Sequence, residues 1–288
     1  MMSKISIIIP AYNAEAGLEK SVCSVLAQTY RDIEVWIVND GSRDRTGEVA
    51  TRFARQDSRV HVIHQQNCGC YQARLNALKK IKTTYFGFVD ADDVIDPTMF
   101  EKMLDFAERE HLDVVQCGHD VNGKYVEWKG CSDILHSHKS VVEKYVTPLL
   151  VEGMLGGAFV WNKLYRNQYD FETFDPTDND TTFEDMIFNL QFFLKVQRMG
   201  FLNEPLYHYC INEGSSVSNF TARTLKDFGE CVRVRKAVIP LYCIRDSDSL
   251  CRRWLRINAL NCVASILRSR SSLGTKIMYI VKLIRFVS

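Results

Sequence analysis

Two carboxylates one residue apart, Asp90 and Asp92, follow the apolar run Phe86-Gly87-Phe88-Val89, and Asp93 adds a third. At the carboxyl end of a strand such a pair can share a hard divalent cation with a phosphate-bearing substrate. The same residues would also solvate a loop and cap the helix signalled by Asp96-Pro97. A second acidic pair, Glu184-Asp185, stands where a helix is expected to begin near Thr181. There Thr181-Thr182-Phe183-Glu184 fits a capping box that occupies Glu184 structurally. Two other segments bring polar groups: Pro10-Ala11-Tyr12-Asn13 and Asn39-Asp40-Gly41-Ser42. Asp40 can accept from a base N–H and Tyr12 can stack on a base, but Asp-Gly-Ser is also ordinary turn chemistry.

The elements expected to position these groups alternate. Ile5–Ile9, Glu34–Val38, Val60–Ile63, Tyr85–Val89 and Val114–Cys117 read as short strands rich in β-branched and aromatic residues. Between them, Leu18-x₃-Val22-x₂-Val25-Leu26, Thr46–Phe53, Tyr71–Ile81 and the stretch after Asp96 carry helical spacing. That order predicts an α/β fold with a mostly parallel, Rossmann-like sheet flanked by helices. Carboxyl ends of parallel strands share one edge, so the three polar segments should converge. After Gly118 the pattern is irregular, and from about Phe220 it reads as helices with basic faces. No G-x-G-x-x-G follows a strand and no G-x-x-x-x-G-K-[ST] occurs, which argues against a dehydrogenase and a P-loop ATPase.

The 288 residues are 46% apolar, enough for one or two domains. No 18-residue apolar stretch predicts a membrane span, and the short N-terminal apolar segment does not resemble a secretory leader. The ten cysteines are scattered without a Cys-x-x-Cys pair, as a reducing cytosol would allow. Charge is unevenly placed: residues 222–288 carry 14 Lys and Arg against 4 Asp and Glu, or +10, leaving −9 on the rest. A basic end on an acidic body suggests an anionic partner such as a membrane surface, with a solvated helical face as the plainer alternative. The apolar and basic run Lys276–Val287 would lie in a membrane interface or pack on the body as the last helix. Its aromatics form no stacking platform with the basic residues, which argues against nucleic acid.

Pro10-x-Tyr12-Asn13, Gln28-Thr29-Tyr30, Asn39-Asp40-Gly41-Ser42-x-Asp44-x-Thr46, Asn67-x-Gly69, Ala73-Arg74-x-Asn76 and Phe88-x-Asp90-Ala91-Asp92-Asp93 occur in that order. Together they resemble the nucleotide-sugar-binding half of family 2 glycosyltransferases, inverting enzymes of the A-type glycosyltransferase fold, here of the bacterial surface-glycan type. The likeness is close over residues 4–118. It continues more loosely through Trp161-Asn162-Lys163-Leu164-Tyr165 and Phe183-Glu184-Asp185 to Ser215-Ser216.

The resemblance implies a nucleotide-sugar subdomain at 1–118, an acceptor and base region at 119–220, and a basic helical region at 221–288. It implies a donor pocket lined by Pro10, Ala11 and Tyr12, with Asp40 on the uracil, Asp90 near the ribose, and Asp92 as ligand to Mn²⁺ or Mg²⁺. Arg74 would assist the diphosphate. Asp185 would be the base, with Glu184 as acceptor contact. Trp161, Lys163 and His208 are acceptor-side candidates, although Trp161 is more often a core residue than a sugar platform and a packed loop histidine is the safer reading of His208. Asn39 stands where relatives usually carry Asp, and Cys210 where they often carry Arg.

The expected reaction moves a sugar from a UDP-sugar to a hydroxyl of a saccharide or lipid-linked saccharide, with inversion. The setting implied is lipopolysaccharide, capsule or other surface-polysaccharide synthesis by a cytoplasmic enzyme peripheral on the inner membrane face. A metal-dependent nucleotidyltransferase and a non-catalytic carbohydrate-binding relative are the rival readings.

Overall fold

The computed structural model describes residues 4–126, 134–148, 158–168, 170–171, 184–211, 222–244, 247–269 and 272–287. Its centre is a sheet that begins with the expected parallel strands: β1 (Ile5–Ala11), β2 (Ile33–Asp40), β3 (Val60–Gln65) and β4 (Tyr85–Phe88). The run Ile5–Ile9 is apolar at every position but Ser6 because β1 is central. Ile5, Ile7 and Ile9 enter the core on one face of the sheet, and Ile8 enters the core on the other. Helices α1 (Leu18–Leu26), α2 (Thr46–Gln56) and α3 (Cys70–Leu78) connect these strands, α4 (Met99–Arg109) follows them, and together the four cover both faces. The N-cap of α4 is Thr98, not Asp96. Asp96 Oδ1 instead accepts from the Thr98 N–H at 2.8 Å and fixes the turn before the helix.

Past β4 the sheet becomes mixed. The remaining strands are β5 (Val94–Ile95), β6 (Val114–Val121), β7 (Lys124–Val126), β8 (Lys163–Arg166) and β9 (Met199–Tyr209). Their order is β3-β2-β1-β4-β8-β6-β9-β5, with β7 on β6. Antiparallel β8 separates β4 from β6, so the Val114–Cys117 strand is not the next parallel neighbour of β4. β8 fits there because Leu164 and Tyr165, on opposite faces, are both buried; Tyr165 stacks on Phe86 with centroids 5.0 Å apart.

After a short helix, α5 (His138–Val141), the helix α6 (Glu184–Phe192) packs Phe188 and Phe192 into this aromatic cluster. The cluster thereby anchors the helix that begins with Glu184-Asp185. The proposed capping residues Thr181 and Thr182, and the segment Asn212–Ser216, lie outside the described residues. The C-terminal region is helical as expected: α7 (Ala222–Val238), α8 (Ser247–Arg268) and α9 (Leu273–Val287). No helix among the described residues is long and apolar enough to cross a membrane.

Candidate active site

Register brings the three strand ends together. Ala11 pairs with Asn39, Asp40 with Gln65, and Ile8 with Phe88, so all three polar segments leave the same edge of the sheet. The first two loops are laced directly. Asn13 N–H donates to Ser42 Oγ at 3.0 Å, Arg43 N–H to Asn13 Oδ1 at 2.9 Å, Ala14 N–H to Thr46 Oγ1 at 2.8 Å, and Glu15 N–H to Asp44 Oδ2 at 3.1 Å. The motif residues Asn13, Ser42, Asp44 and Thr46 therefore build the rim, leaving Tyr12 open at 48% exposure. Gly41 is required at its turn, since its φ is +70° and a Cβ would meet the Asn67 nitrogen at 2.6 Å.

Asp40 is buried below Tyr12's loop. Its Oδ1 accepts from Gln65 Nε2 at 2.8 Å and Cys68 N at 2.9 Å, and its Oδ2 from Gly69 N at 2.9 Å. A carboxylate has about four acceptor positions, so Oδ2, with one donor, keeps one in reserve. These bonds also hold the Asn67-x-Gly69 turn against the second strand end.

The Asp-x-Asp turn rests on α1. Ser21 Oγ donates to the Asp90 carbonyl at 3.1 Å. Gly17, whose role no sequence motif signalled, lets the helix approach: a Cβ there would lie 2.9 Å from Ala91 O and from Asp92 Cα. Asp92 is exposed, whereas Asp93 points inward. Tyr207 Oη donates to Asp93 Oδ2 at 2.7 Å, and Cys210 N–H to Asp93 Oδ1 at 2.8 Å. Burial, helped by the Asp90 charge, pushes Asp93 up to about 7. Asp93 thus ties the turn to the end of β9.

Arg74 is the hub of the site and only 2% exposed. It donates through Nη2 to Asp90 Oδ1 at 3.1 Å and through Nη1 to Asp185 Oδ1 at 2.5 Å, with Glu184 Oε1 at 3.7 Å. Its face also lies 5.5 Å from the Phe88 ring centroid. Expected on a diphosphate, Arg74 is instead committed to carboxylates, because one cation is shared among three acids. That excess acidity has a consequence. Desolvation outweighs Arg74 at two of them, raising Asp90 to about 6 and Glu184 to about 7. Asp185 Oδ2 accepts in addition from Val160 N–H at 3.2 Å.

The acceptor-side candidates divide. Trp161 is buried and stacks on Tyr207 with centroids 4.2 Å apart, so it is a core residue that props β9. Lys163 does not reach an open surface: it is fully buried, since β8 is covered on both sides. His208 lies on β9, not in a packed loop, and its Nδ1 pairs with Asp120 Oδ2 at the end of β6.

Among the described residues no three His, Cys, Asp or Glu side chains close around a metal. The donor set nonetheless fits a hard cation shared with phosphate, which needs only one or two protein carboxylates. Asp92, exposed at the rim of an acidic cluster, is the residue that would hold it.

The family described as Glycosyl transferase family 2 matches residues 6–174. EpsJ, an uncharacterized glycosyltransferase of Bacillus subtilis, is 36% identical over 225 residues, 75% of this chain and 63% of EpsJ. This chain thus spans under two thirds of that relative's length. S. aureus TarS 1-349 in complex with UDP-GlcNAc has a similar fold, with a TM-score of 0.63 over 98% of this chain and 72% of that one at 20% identity. So does the mannosyltransferase PcManGT of Pyrobaculum calidifontis in complex with GDP-Man and Mn²⁺, with a TM-score of 0.57 over 99% and 85% at 13% identity.

Proposed function

The chain belongs to glycosyl transferase family 2, and from that premise we propose that it moves a sugar from a UDP-sugar to a hydroxyl of a glycan acceptor with inversion. The observation that carries this reading is the carboxylate cluster on Arg74, which joins Asp90 at the strand edge to Asp185 on α6. In this reading Tyr12, Pro10, Ala11 and Asp40 hold the nucleoside, with the remaining Oδ2 acceptor position of Asp40 taking the uracil N–H. Asp92 would hold Mn²⁺ or Mg²⁺, which when bound would supply Lewis-acid stabilisation to the departing diphosphate. Asp185 takes the acceptor proton as its oxygen attacks from the face opposite the leaving group, where an ionised, oriented carboxylate is needed. The UDP-GlcNAc complex of a similarly folded protein supports a UDP-linked hexose or N-acetylhexosamine; a GDP-sugar bound by another such fold is the competing donor class.

Melting the protein with UDP, GDP, CMP and ADP, each with and without Mn²⁺, tests the donor. A ligand at about a hundred times its Kd adds roughly 2.7 kcal/mol, so UDP should raise the melting temperature, and only with Mn²⁺ present. Asp92→Asn should lose that metal dependence while keeping the unliganded melting temperature. A response to GDP alone would change the donor class, and none to any nucleotide would favour the non-catalytic reading.

The acceptor side of the proposal is a lipid-linked saccharide met at an anionic membrane surface. Its support is the outward face of α8 and α9, where Leu260 (70% exposed), Leu267, Leu273 (75%), Ile277 and Ile284 stand with Arg252, Arg253, Arg256 and Arg268. Apolar bulk beside cationic heads suits an anionic lipid interface. The protein should sediment with vesicles containing phosphatidylglycerol and much less with phosphatidylcholine alone, and Leu260→Asp with Ile277→Asp should abolish binding. Equal binding to both vesicles, or a dimer in solution that the same substitutions dissociate, would assign the face to another partner.

A further inference from the structure

A fully buried lysine is a costly residue that nothing above uses. Burial drives the Lys163 ammonium down to about 7, with Asp185 and Cys117 only partly offsetting the loss of water. A methionine would fill the same volume without that cost. The ammonium is spent on the segment 158–162: Nζ donates to the Phe159 carbonyl and, at 2.9 Å, to Asn162 Oδ1. Asn162 Nδ2 in turn donates to the Cys117 carbonyl at 3.2 Å and fixes the segment to β6. From the other side Asn189 Nδ2, on α6, donates to the Ala158 carbonyl at 2.6 Å and the Phe159 carbonyl at 3.3 Å, its own Oδ1 accepting from Tyr165 Oη at 2.8 Å.

The Phe159 carbonyl therefore takes two donors, and it belongs to the peptide whose N–H is that of Val160. That N–H is the donor to Asp185 Oδ2. We propose that Lys163 is a positioning residue for sugar transfer, acting on Asp185 through the peptide group that joins Phe159 to Val160. The inference rests on the reading of Asp185 as the base.

Two effects follow. Donors on a carbonyl polarise its peptide and strengthen the bond its N–H makes. They also fix the plane of the peptide, and with it the direction from which the N–H meets Asp185. Arg74 holds the other carboxylate oxygen, so the two contacts together set the rotation of Asp185. A reacting group displaced by about 1 Å loses on the order of a hundredfold in rate, and a rotated carboxylate loses its lone-pair direction in the same way. The charged groups facing Asp185 are Arg74 from α3, Glu184 from α6, Asp90 from the strand edge and Lys163 from β8.

Lys163→Met tests this in the full chain, beside Lys163→Gln, which keeps a donor without the charge. Two readouts apply: amide exchange over 158–162, and UDP release from the UDP-sugar that the wild type turns over, with detergent-extracted bacterial membranes as acceptor. Lys163→Met should speed exchange selectively over 158–162 and lower kcat by roughly 10–100-fold, leaving UDP affinity within about twofold. Lys163→Gln should fall between the two.

Unchanged exchange over 158–162 overturns the proposal whatever the activity. So does a folded Lys163→Met with wild-type kcat, or a rate loss matched by equal loss of UDP affinity. If Lys163→Met fails to fold, Lys163→Gln decides by the same readouts, wild-type exchange and kcat overturning the proposal. Asp185→Asn is assayed in parallel. If it keeps transfer, the base assignment falls; if it loses transfer while Lys163→Met does not, only the present inference falls.

Discussion

Asp185→Asn should bind UDP with near-native affinity and transfer sugar about 10²–10⁴-fold more slowly, the range a positioned general base supplies. The split follows from where the two functions sit. Nucleoside contacts are assigned to Tyr12 and Asp40, whose loops are held by their own hydrogen bonds, independent of α6. The amide keeps the size of the carboxylate and can still accept from Val160 N–H through its oxygen. Its nitrogen then faces the Arg74 guanidinium, donor to donor, which costs some stability but leaves Asp90 on Nη2. What the amide cannot do is take a proton from an incoming hydroxyl. Initial rates of UDP release and a calorimetric UDP titration on the same preparation decide it. A residual rate within about tenfold of wild type would remove Asp185 from the base role.

Glu184 makes a sharper control than a distant mutation. It neighbours Asp185 on the same helix turn and also approaches Arg74, yet lies 3.7 Å from the nearest guanidinium nitrogen. With burial lifting it to about 7, it is partly protonated at neutral pH and makes a weaker permanent anion. If Glu184→Gln loses more activity than Asp185→Asn, the assignments of base and acceptor contact exchange.

The convergence of the three strand ends was legible in the sequence because a parallel sheet leaves little choice. Ile5–Ile9, Glu34–Val38 and Tyr85–Val89 each end in polar residues, and strands running the same way end on the same side. What a local pattern cannot carry is the pairing of residues far apart. Nothing around Arg74 announces Asp185, 111 positions later, and a helix position followed by Asn76 reads equally well as surface. Asp93 looks like the third acid of a loop until Tyr207, 114 positions away, is seen to donate to it. The resemblance put Lys163 on the acceptor side, and only the insertion of β8 between β4 and β6 encloses it. Gly17 carried no motif at all, since its function is the absence of a Cβ beside Asp92. Trp161, by contrast, was ambiguous for a good reason: a ring that suits a sugar also suits a core, and its contact with Tyr207 decides for the core.

Arg74→Met should be the most destabilising single change at the site. Methionine fills much of the same space, but Asp90, Glu184 and Asp185 then face one another with their shared cation gone. Breaking a buried pair in this way costs roughly 3–5 kcal/mol, which for a chain of this size lowers the melting temperature by on the order of 10 °C. The deficit should depend on pH with a definite sign. Without the guanidinium the folded-state pKa values of Asp90 and Glu184, already raised by burial, rise further above their unfolded values near 4, so between the two the folded state binds more protons than the unfolded one. Stability then falls as pH rises through that interval. The gap between Arg74→Met and wild type should therefore be smaller at pH 5, where Asp90 and Glu184 can protonate, than at pH 8, where both tend to ionise. Calorimetric melts at both values measure it, and a gap independent of pH would show that Arg74 acts by packing on Phe88 and not by charge. Combining Arg74→Met with Asp185→Asn should recover part of the loss, because residues in one network are not additive; strict additivity of the two would separate Arg74 from Asp185 energetically and leave the base held by Val160 alone.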